Sequence, residues 1–370
     1  MPMTTPRIAD LTTYLDAWAP PAYQENYDNA GLLVGHPTTP ITGVLVSLDV
    51  TEAIVAEAVA RGCNMVVAHH PIVFKGLKKL NGHSYVERTV INAIKNDVAI
   101  FAAHTNLDHI TGGVNTHIAS RLGLTDVQIL APKSGTLSKL VVYVPEANVA
   151  AVLVALHTAG AGKIGPYDQC SFRVGGTGTF RPLHGANPAV GQVGQTESGA
   201  EQRLEVLLPT YLEKAVVRAM RQAHPYEMPA YDLFALTNTD PTVGAGAVGN
   251  LPHPLPETNW LRHLKTTMQT PVVRHTPLTG RAVGRVAVCG GAGSFLLPHA
   301  LRAGADAFVT ADYKYHEFFD AESKLVICDI GHYESEVFTK DLIAAYLRRK
   351  FTTFAVILAD TDTNPVQYFF

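Results

Sequence analysis

The sequence has little of what marks secreted, membrane-spanning or nucleic-acid-binding proteins. Its four cysteines lie far apart and form no C-x-x-C motif, which predicts buried thiols in a reducing compartment and no cysteine metal site. No apolar run reaches the ~20 residues that span a bilayer, and the N-terminus lacks the basic-then-apolar layout of a signal peptide. The formal net charge of −3 lacks the basic excess typical of nucleic-acid binding. We therefore expect a cytoplasmic protein that binds neither nucleic acid nor membrane.

What is present is the composition of a globular protein long enough for two domains. The chain has 370 residues, 47% of them hydrophobic, and a single core seldom extends over such a length. Near both ends, unbroken apolar runs alternate with helical patterns, which predicts an α/β fold of parallel or mixed sheets with helices on both faces. Examples are "GVLVSL" (43–48), "TEAIVAEAVARG" (51–62), "MVVA" (65–68), and "HYESEVFTKDLIAAYLRRKF" (332–351) as one long helix. We predict one discontinuous domain formed by residues 1–130 and 245–370.

The central region follows a different order of elements. Between residues 139 and 236 the patterns read βαββαβ, which is the split-βαβ arrangement of ferredoxin-like folds. We therefore predict an inserted α+β domain over residues 135–240. Within it, "HGANPAVGQVGQTESGAE" (184–201) has the composition of a mobile surface loop. The segment "QAHPYEMPAYDL" (222–233) is either a second small-ligand site or the packing of a strand edge.

Histidines and acids follow four predicted strands of the outer domain. Ligands of open α/β sheets bind beyond the carboxyl ends of the strands, so side chains at these positions are candidates for a site. They are His69 and His70 after "MVVA", His104 and Asp108 in "HTNLD", Asp312 and His316 in "ADYKYH", and Asp329, His332 and Glu336 in "DIGHYESE".

These residue types suit a metal centre. Adjacent residues of a strand point in opposite directions, so His69 and His70 fit two neighbouring ions better than one. His332 and Glu336 are four residues apart on a predicted helix, which puts an imidazole and a carboxylate on one face. With Asp108 from a third strand end, this mixed set could hold two Zn²⁺, Fe²⁺ or Mn²⁺ ions and leave positions for water.

Each signal also has a simpler alternative. His104 taken alone fits a hydrogen-bonded surface histidine, and His332 with Glu336 fits a helical pair. The glycines of "CGGAGSF" either offer backbone N–H groups to an anion, with Gly291 and Gly293 orienting a substrate, or form a tight turn. Lys75 in "FKGLKK" either attracts an anionic substrate or belongs to a solvated loop.

Six motifs in order resemble those of one protein family. They are "YDNAGLLVG", "AHHPIVFKGLKKL", "AAHTNLD", "GGAGSF" with "ADAFVTADYKYHEFFDA", and "DIGHYESE". The chain resembles the GTP cyclohydrolase I type 2 homologues, also called Ngg-interacting-factor-like proteins or the domain-of-unknown-function thirty-four family. The resemblance covers both outer segments, and the insertion resembles the PII-like or CutA-like domain of the longer bacterial members.

The resemblance implies a dinuclear metal centre in a ring-shaped homohexamer whose openings the insertion caps. By motif position, the metal ligands fall on His69, His70, Asp108, His332 and Glu336, and His104 matches a further family histidine near the centre.

Two functions follow as hypotheses. The first is a metal-dependent hydrolase of an anionic nucleotide-like, phosphoester or cyclic-amide substrate, in which His316 or Glu334 moves protons. The second is a metal-binding regulatory or chaperone protein without turnover, whose insertion senses a small ligand.

Overall fold

The chain forms two compact units in the structure, a computed structural model that describes residues 5–369. The outer unit runs up to Pro132 and resumes at Pro241, and the inserted unit is Lys133–Asp240. The predicted outer domain also included residues 1–4 and 370, which lie outside the described residues. No helix within residues 5–369 is long and apolar enough to cross a membrane.

The first outer segment contains five α-helices, one 3₁₀ helix at Pro21–Tyr23 and five strands in its described residues. Thr51 and Ser84 cap the second and third helices, because each side chain accepts a hydrogen bond from a backbone N–H three residues ahead. The elements are α1 (Ile8–Trp18), β1 (Gly31–Val34), β2 (Gly43–Ser47), α2 (Glu52–Ala60), β3 (Met65–Ala68), α3 (Tyr85–Lys95), β4 (Ala99–Ala102), α4 (Thr105–Asp108), α5 (Val114–Arg121) and β5 (Thr125–Pro132).

The inserted unit is one antiparallel sheet with two helices on one face. Its sheet order is β7-β8-β6-β9, and Leu140, Val142, Leu204 and Val206 belong to the core that the helices cover. The elements are β6 (Leu137–Pro145), α6 (Val149–Thr158), β7 (Phe172–Phe180), β8 (Glu197–Pro209), α7 (Glu213–Ala223) and β9 (Tyr231–Ala235).

The second outer segment completes both sheets of the outer unit. A 3₁₀ helix at Tyr315–Ala321 lies between its fourth and fifth strands. The other elements are β10 (Gly244–Leu255), α8 (Glu257–Thr267), β11 (Arg274–His275), β12 (Val283–Ala292), α9 (Leu297–Arg302), β13 (Ala307–Ala311), β14 (Val326–Asp329), α10 (His332–Glu336), α11 (Thr339–Lys350) and β15 (Ala355–Leu358).

Both sheets of the outer unit are mixed, which confirms the prediction of an α/β fold. One has the order β1-β4-β3-β2-β15, with β1 antiparallel to an otherwise parallel sheet. The other has the order β11-β14-β13-β12-β10-β5, parallel only through β12, β13 and β14. The strands that precede the candidate ligands are therefore parallel neighbours, so their carboxyl ends lie at one edge of each sheet.

The two sheets share one hydrophobic core. The shared core includes Val44, Val46 and Val67 from one sheet and Val286, Val288 and Val309 from the other. Alternate residues of a strand point to opposite faces, so Leu45 and Val66 lie on the other face of the first sheet, where they pack in a separate cluster with Ile54 of α2. Strand β3 is thus covered on both faces, and so is the first residue beyond it, His69.

Two element predictions were wrong. The long helix expected over 332–351 is two helices: α10 ends at Glu336 and α11 begins at Thr339, with Val337 as the C-cap of the first and Phe338 as the N-cap of the second. The loop expected over 184–201 ends at Glu197, where β8 pairs with Phe180 and continues the hairpin.

Candidate metal centre

Histidines from both outer segments meet at the ends of their strands. Strands β3 and β4 are parallel with Ala68 opposite Ala102, so the residues that follow them are neighbours. The His70 ring centroid lies 4.9 Å from that of His69, 5.4 Å from that of His104 and 5.2 Å from that of His332. Imidazoles from positions more than two hundred residues apart therefore share one cluster.

Ligand atoms in this cluster form two groups compact enough to hold a metal ion. Within residues 5–369, one group is His69, His70 and His104, and the other is His70, His332 and Glu336. In each group the ligand atoms all lie within 4.8 Å of one another. The two groups share His70.

The buried imidazole of His69 has one nitrogen fixed and the other without a partner. Its Nδ1 lies 2.7 Å from the Ala103 carbonyl oxygen, which only accepts, so Nδ1 is the donor, and in the neutral imidazole Nε2 presents a lone pair. Nε2 has no hydrogen-bond partner among the described residues. Its nearest acidic atoms are Asp108 Oδ1 at 3.7 Å and Glu336 Oε1 at 3.8 Å.

Asp108 faces His69 with an equally unsatisfied atom. Its Oδ1 is buried without a hydrogen-bond partner in the described part of the chain. Burial, and then the negative charge of Glu336, raise the pKa of Asp108 to about 7. An unpaired buried polar atom costs about 1–3 kcal/mol, whereas a cation bound at about 2.0–2.2 Å from each atom would satisfy both. The donor set therefore fits a metal ion at this position.

Glu336 turns its two carboxylate oxygens to different histidines. Oε2 accepts from His70 Nε2 at 2.9 Å and from His332 Nε2 at 3.0 Å, while Oε1 faces His69. Burial opposes ionisation of this carboxyl, but the histidines, His332 above all, hold its pKa well below the usual range. A carboxylate is thus kept at the centre of the cluster.

Three aspartates orient three of the histidines by contacting the ring nitrogen that points away from the cluster. The Nδ1 atoms of His70, His104 and His332 each lie 2.7 Å from a carboxylate oxygen, which fixes Nδ1–H as the donor and turns Nε2 toward the cluster. Such carboxylate–histidine pairs support metal ligands in proteins. The partners are Asp49, Asp28 and Asp312, respectively.

Two of these supporting residues were missed by sequence reasoning. Asp28 lies within the quoted motif "YDNAGLLVG", and Asp49 follows the end of β2, so both had a local signal. Neither position is close in sequence to the histidine that it contacts. Asp312 was expected near the site as a coordinating group, and it lies against His332 Nδ1.

Protons on the histidines balance the buried acids. Burial alone would lower the pKa of His70, but Asp49 and Glu336 raise it to about 9. In the same way Asp312 and Glu336 outweigh burial and raise the pKa of His332 to about 11. Divalent cations compete with such protons, so a metal ion that bound at this cluster would release them.

The glycines at the end of β12 make room for Glu336. Gly291 has a φ of +61°, and a Cβ on it would lie 2.6 Å from Glu336 Oε1. Its N–H already donates to Ser335 Oγ at 2.9 Å, and the Gly290 N–H donates to Asn115 Oδ1. At Gly293 a Cβ would lie 2.5 Å from Thr310 Oγ1. Close packing accounts for these glycines, and the N–H groups of Gly290 and Gly291 are not available to an anion.

Other predicted site residues are more dispersed. His316 is exposed on the 3₁₀ helix, where its ring lies against Tyr315 and Phe319 and not in the histidine cluster. Lys75 is exposed and lines a surface pocket formed by the loop after His70 and the start of α3. The structure therefore does not bring His316 to the cluster.

A cavity of about 450 Å³ adjoins the cluster. Its lining includes His70, His332, Asp49, Glu334 and Arg274. Glu334 is buried and accepts a hydrogen bond from Asn364 Nδ2 at 3.3 Å. The Arg274 guanidinium donates to Asp329 and to the Tyr313 carbonyl, which leaves part of its donor set facing solvent.

Comparison with known proteins gives the family. A sequence model described as Duf34/NIF3 (NGG1p interacting factor 3) matches residues 6–365. The chain is 38% identical to the GTP cyclohydrolase 1 type 2 homolog of Halalkalibacterium halodurans over 358 residues, covering 95% of this chain and 96% of the relative. It is also 38% identical to the Bacillus subtilis protein of that name over 359 residues, with the same coverage.

Solved structures agree. A Bacillus cereus protein related to NIF3 superposes with a TM-score of 0.85 at 35% identity, covering 99% of this chain and 100% of that one. A Staphylococcus aureus protein gives a TM-score of 0.78 at 29% identity, covering 98% and 99%. The chain belongs to the Duf34/NIF3 family, as its motifs predicted.

We expect Asp49→Asn to weaken metal binding about 10–100-fold, because the neutral amide no longer supports His70 as a ligand. The control is Asp360→Asn, since the Asp360 side chain is 88% exposed and pairs only with Arg61 among the described residues. Titration of the metal-free proteins with Zn²⁺ and a competing chelator measures the metal affinity of each variant. Equal affinities for the two variants would contradict the supporting role of Asp49.

We expect Gly291→Ala to lose metal because the new methyl group displaces Glu336. Gly280→Ala is the matched control, because Gly280 has a φ of +80° and no atom within 4 Å of the added Cβ. Both variants carry a backbone penalty of about 1–3 kcal/mol. Measuring the metal content of both variants at the same folded fraction separates the loss of metal ligands from the loss of stability. A fully metal-loaded Gly291→Ala protein would contradict the prediction.

Proposed function

We propose that the protein holds two divalent metal ions in this cluster and uses them to hydrolyse a small anionic substrate. The observation that carries the proposal is His69 Nε2, a buried nitrogen that has no hydrogen-bond partner in the described residues and faces two carboxylates. A buried atom of this kind is costly unless something binds it.

The ligands proposed are His69, His70, Asp108, His332 and Glu336, with His104 as a sixth. Two overlapping groups of ligand atoms favour two ions over one, and Glu336, with one oxygen toward each group, suits a bridging carboxylate. Imidazole with carboxylate suits Zn²⁺, Fe²⁺ or Mn²⁺.

A pair of divalent cations would supply Lewis-acid polarisation and a water whose pKa is lowered toward neutrality. The chain's own groups have separate roles. Glu334 lines the adjoining cavity beside His70 and His332, so it is the carboxylate that we propose moves a proton. Arg274 lines the same cavity and offers a guanidinium to an anionic substrate.

The substrate class is proposed from the site and the relatives together. A cation in the cavity and two metal ions favour an anion, and relatives carry the name GTP cyclohydrolase 1 type 2 homolog. A nucleotide-like molecule, a phosphoester or a cyclic amide fits these constraints.

We further propose that the insertion is a ferredoxin-like domain of the PII or CutA type. Its strand order β7-β8-β6-β9, with two helices on one face, supports this proposal. Assembly as a homohexamer and a cytoplasmic location remain predictions. All four cysteines are free thiols, which is compatible with a reducing compartment.

Replacing His69 tests the metal proposal directly. We expect His69→Ala to lose at least one metal ion per chain, since it removes the buried lone pair, while leaving the fold intact. His316→Ala is the control because that imidazole is exposed and outside the cluster. Elemental analysis gives the stoichiometry, and normal loading of the His69 variant would refute its role as a ligand.

Turnover tests the hydrolase proposal against a metal-binding protein without activity. We expect metal-loaded protein to hydrolyse at least one compound from a panel of nucleotides, phosphoesters and cyclic amides. Glu334→Gln should then retain metal and lose activity by about 10²–10⁴-fold, because the amide cannot carry the proton. No turnover by fully loaded protein across the panel would favour the regulatory alternative.

A further inference from the structure

A second cavity lies in the inserted unit, on the sheet face opposite its two helices. Its volume is about 530 Å³, within the ~300–1,000 Å³ range of small-molecule pockets. Alternate residues of β8 separate the two faces: Leu204 and Val206 face the helices, while Arg203 and Glu201 face the cavity. The 181–190 part of the β7–β8 loop and the segment 226–230 complete its walls.

The floor of this cavity is glycine backbone. Strand pairing puts Gly176 opposite Glu201, and a Cβ on Gly176 would meet no atom within 4 Å. A Cβ on Gly178 would lie 2.2 Å from the Glu201 carboxylate. The glycines of β7 thus leave a flat, open surface and let the Glu201 carboxylate approach it.

The segment "QAHPYEMPAYDL" (222–233), whose sequence fits either a small-ligand site or a strand edge, forms one wall of the cavity. His224 is buried, with Nε2 2.9 Å from the Tyr143 carbonyl oxygen and Nδ1 accepting from the Tyr226 N–H at 3.0 Å. This histidine holds Tyr226 against Phe180, with ring centroids 5.9 Å apart. Two aromatic rings therefore border the glycine floor.

Three of the four charged side chains in the lining have a hydrogen-bond or ion-pair partner. Glu201 accepts the Tyr226 hydroxyl, Glu227 accepts the Asn187 N–H at 3.0 Å, and Arg203 pairs with Glu205 at 3.0 Å. Arg181 is exposed and has no partner among residues 5–369. Hydrogen bonds from neutral groups leave the negative charges of Glu201 and Glu227 in place, but Arg181 is a cationic side chain of the lining that is free to pair with an anion.

We infer that this cavity binds a small molecule with a flat aromatic body and one anionic group, a carboxylate or a phosphate. The aromatic body packs on the Gly175–Gly178 backbone between Phe180 and Tyr226. The anionic group pairs with the Arg181 guanidinium. This site lies within the inserted unit and does not depend on the metal centre.

The test is a fluorescence titration of the full-length protein with 8-anilinonaphthalene-1-sulfonate, an aromatic anion, beside the uncharged N-phenyl-1-naphthylamine. Gly176→Val fills the floor and should weaken binding of both dyes by about tenfold or more. Gly199→Val is the matched control, because Gly199 lies on the same sheet, outside the cavity, and its Cβ would also meet nothing within 4 Å.

Arg181→Ala should weaken the anionic dye about tenfold and leave the uncharged dye within about twofold. Benzoate and phenyl phosphate, added as competitors, distinguish a carboxylate from a phosphate by which displaces the anionic dye at the lower concentration. Equal affinities of wild type and Gly176→Val would overturn the cavity as the binding site. Equal loss of both dyes in Arg181→Ala, or displacement by neither competitor, would overturn the anionic ligand.

Discussion

The site depends on one hydrogen bond, from His69 Nδ1 to the Ala103 carbonyl oxygen at 2.7 Å. Ala103 follows β4 and His69 follows β3, so the bond joins the ends of two parallel strands. Because a carbonyl oxygen only accepts, Nδ1 is the donor, and in the neutral imidazole the buried Nε2 then presents a lone pair. Asp108 and Glu336 face that atom at distances too long for a hydrogen bond and suitable for sharing a cation.

The shared core of the two sheets brings these groups together. Strands β2 and β3 present alternate valines to the same core as β12 and β13, so the two strand-end edges lie close to each other. Helix α10 then supplies His332 and Glu336 from the second sheet, and Gly291 leaves space for the Glu336 carboxylate. Burial of apolar surface thus stabilises the fold, while the polar groups lie together at the carboxyl ends of the strands.

Many of the strands and site residues could be predicted from the sequence, because an apolar run that ends in histidine indicates both a buried strand and a polar group at its end. The strand at 65–68 has the predicted bounds, and the i, i+4 spacing of His332 and Glu336 is realised on α10. The positions of Asp28 and Asp49 carry a local signal, but the sequence does not show which histidine each supports, because each contacts a histidine that is distant in sequence. Nor could the exposure of His316, which depends on a short 3₁₀ helix turning outward.

Anomalous X-ray diffraction from crystals of metal-loaded protein, collected on both sides of the metal absorption edge, tests the central claim most directly. The account predicts two anomalous peaks per chain, one touching His69 Nε2 and Asp108, and both within reach of Glu336. A single peak elsewhere in the chain, or none near His69 in protein that binds metal in solution, would contradict it.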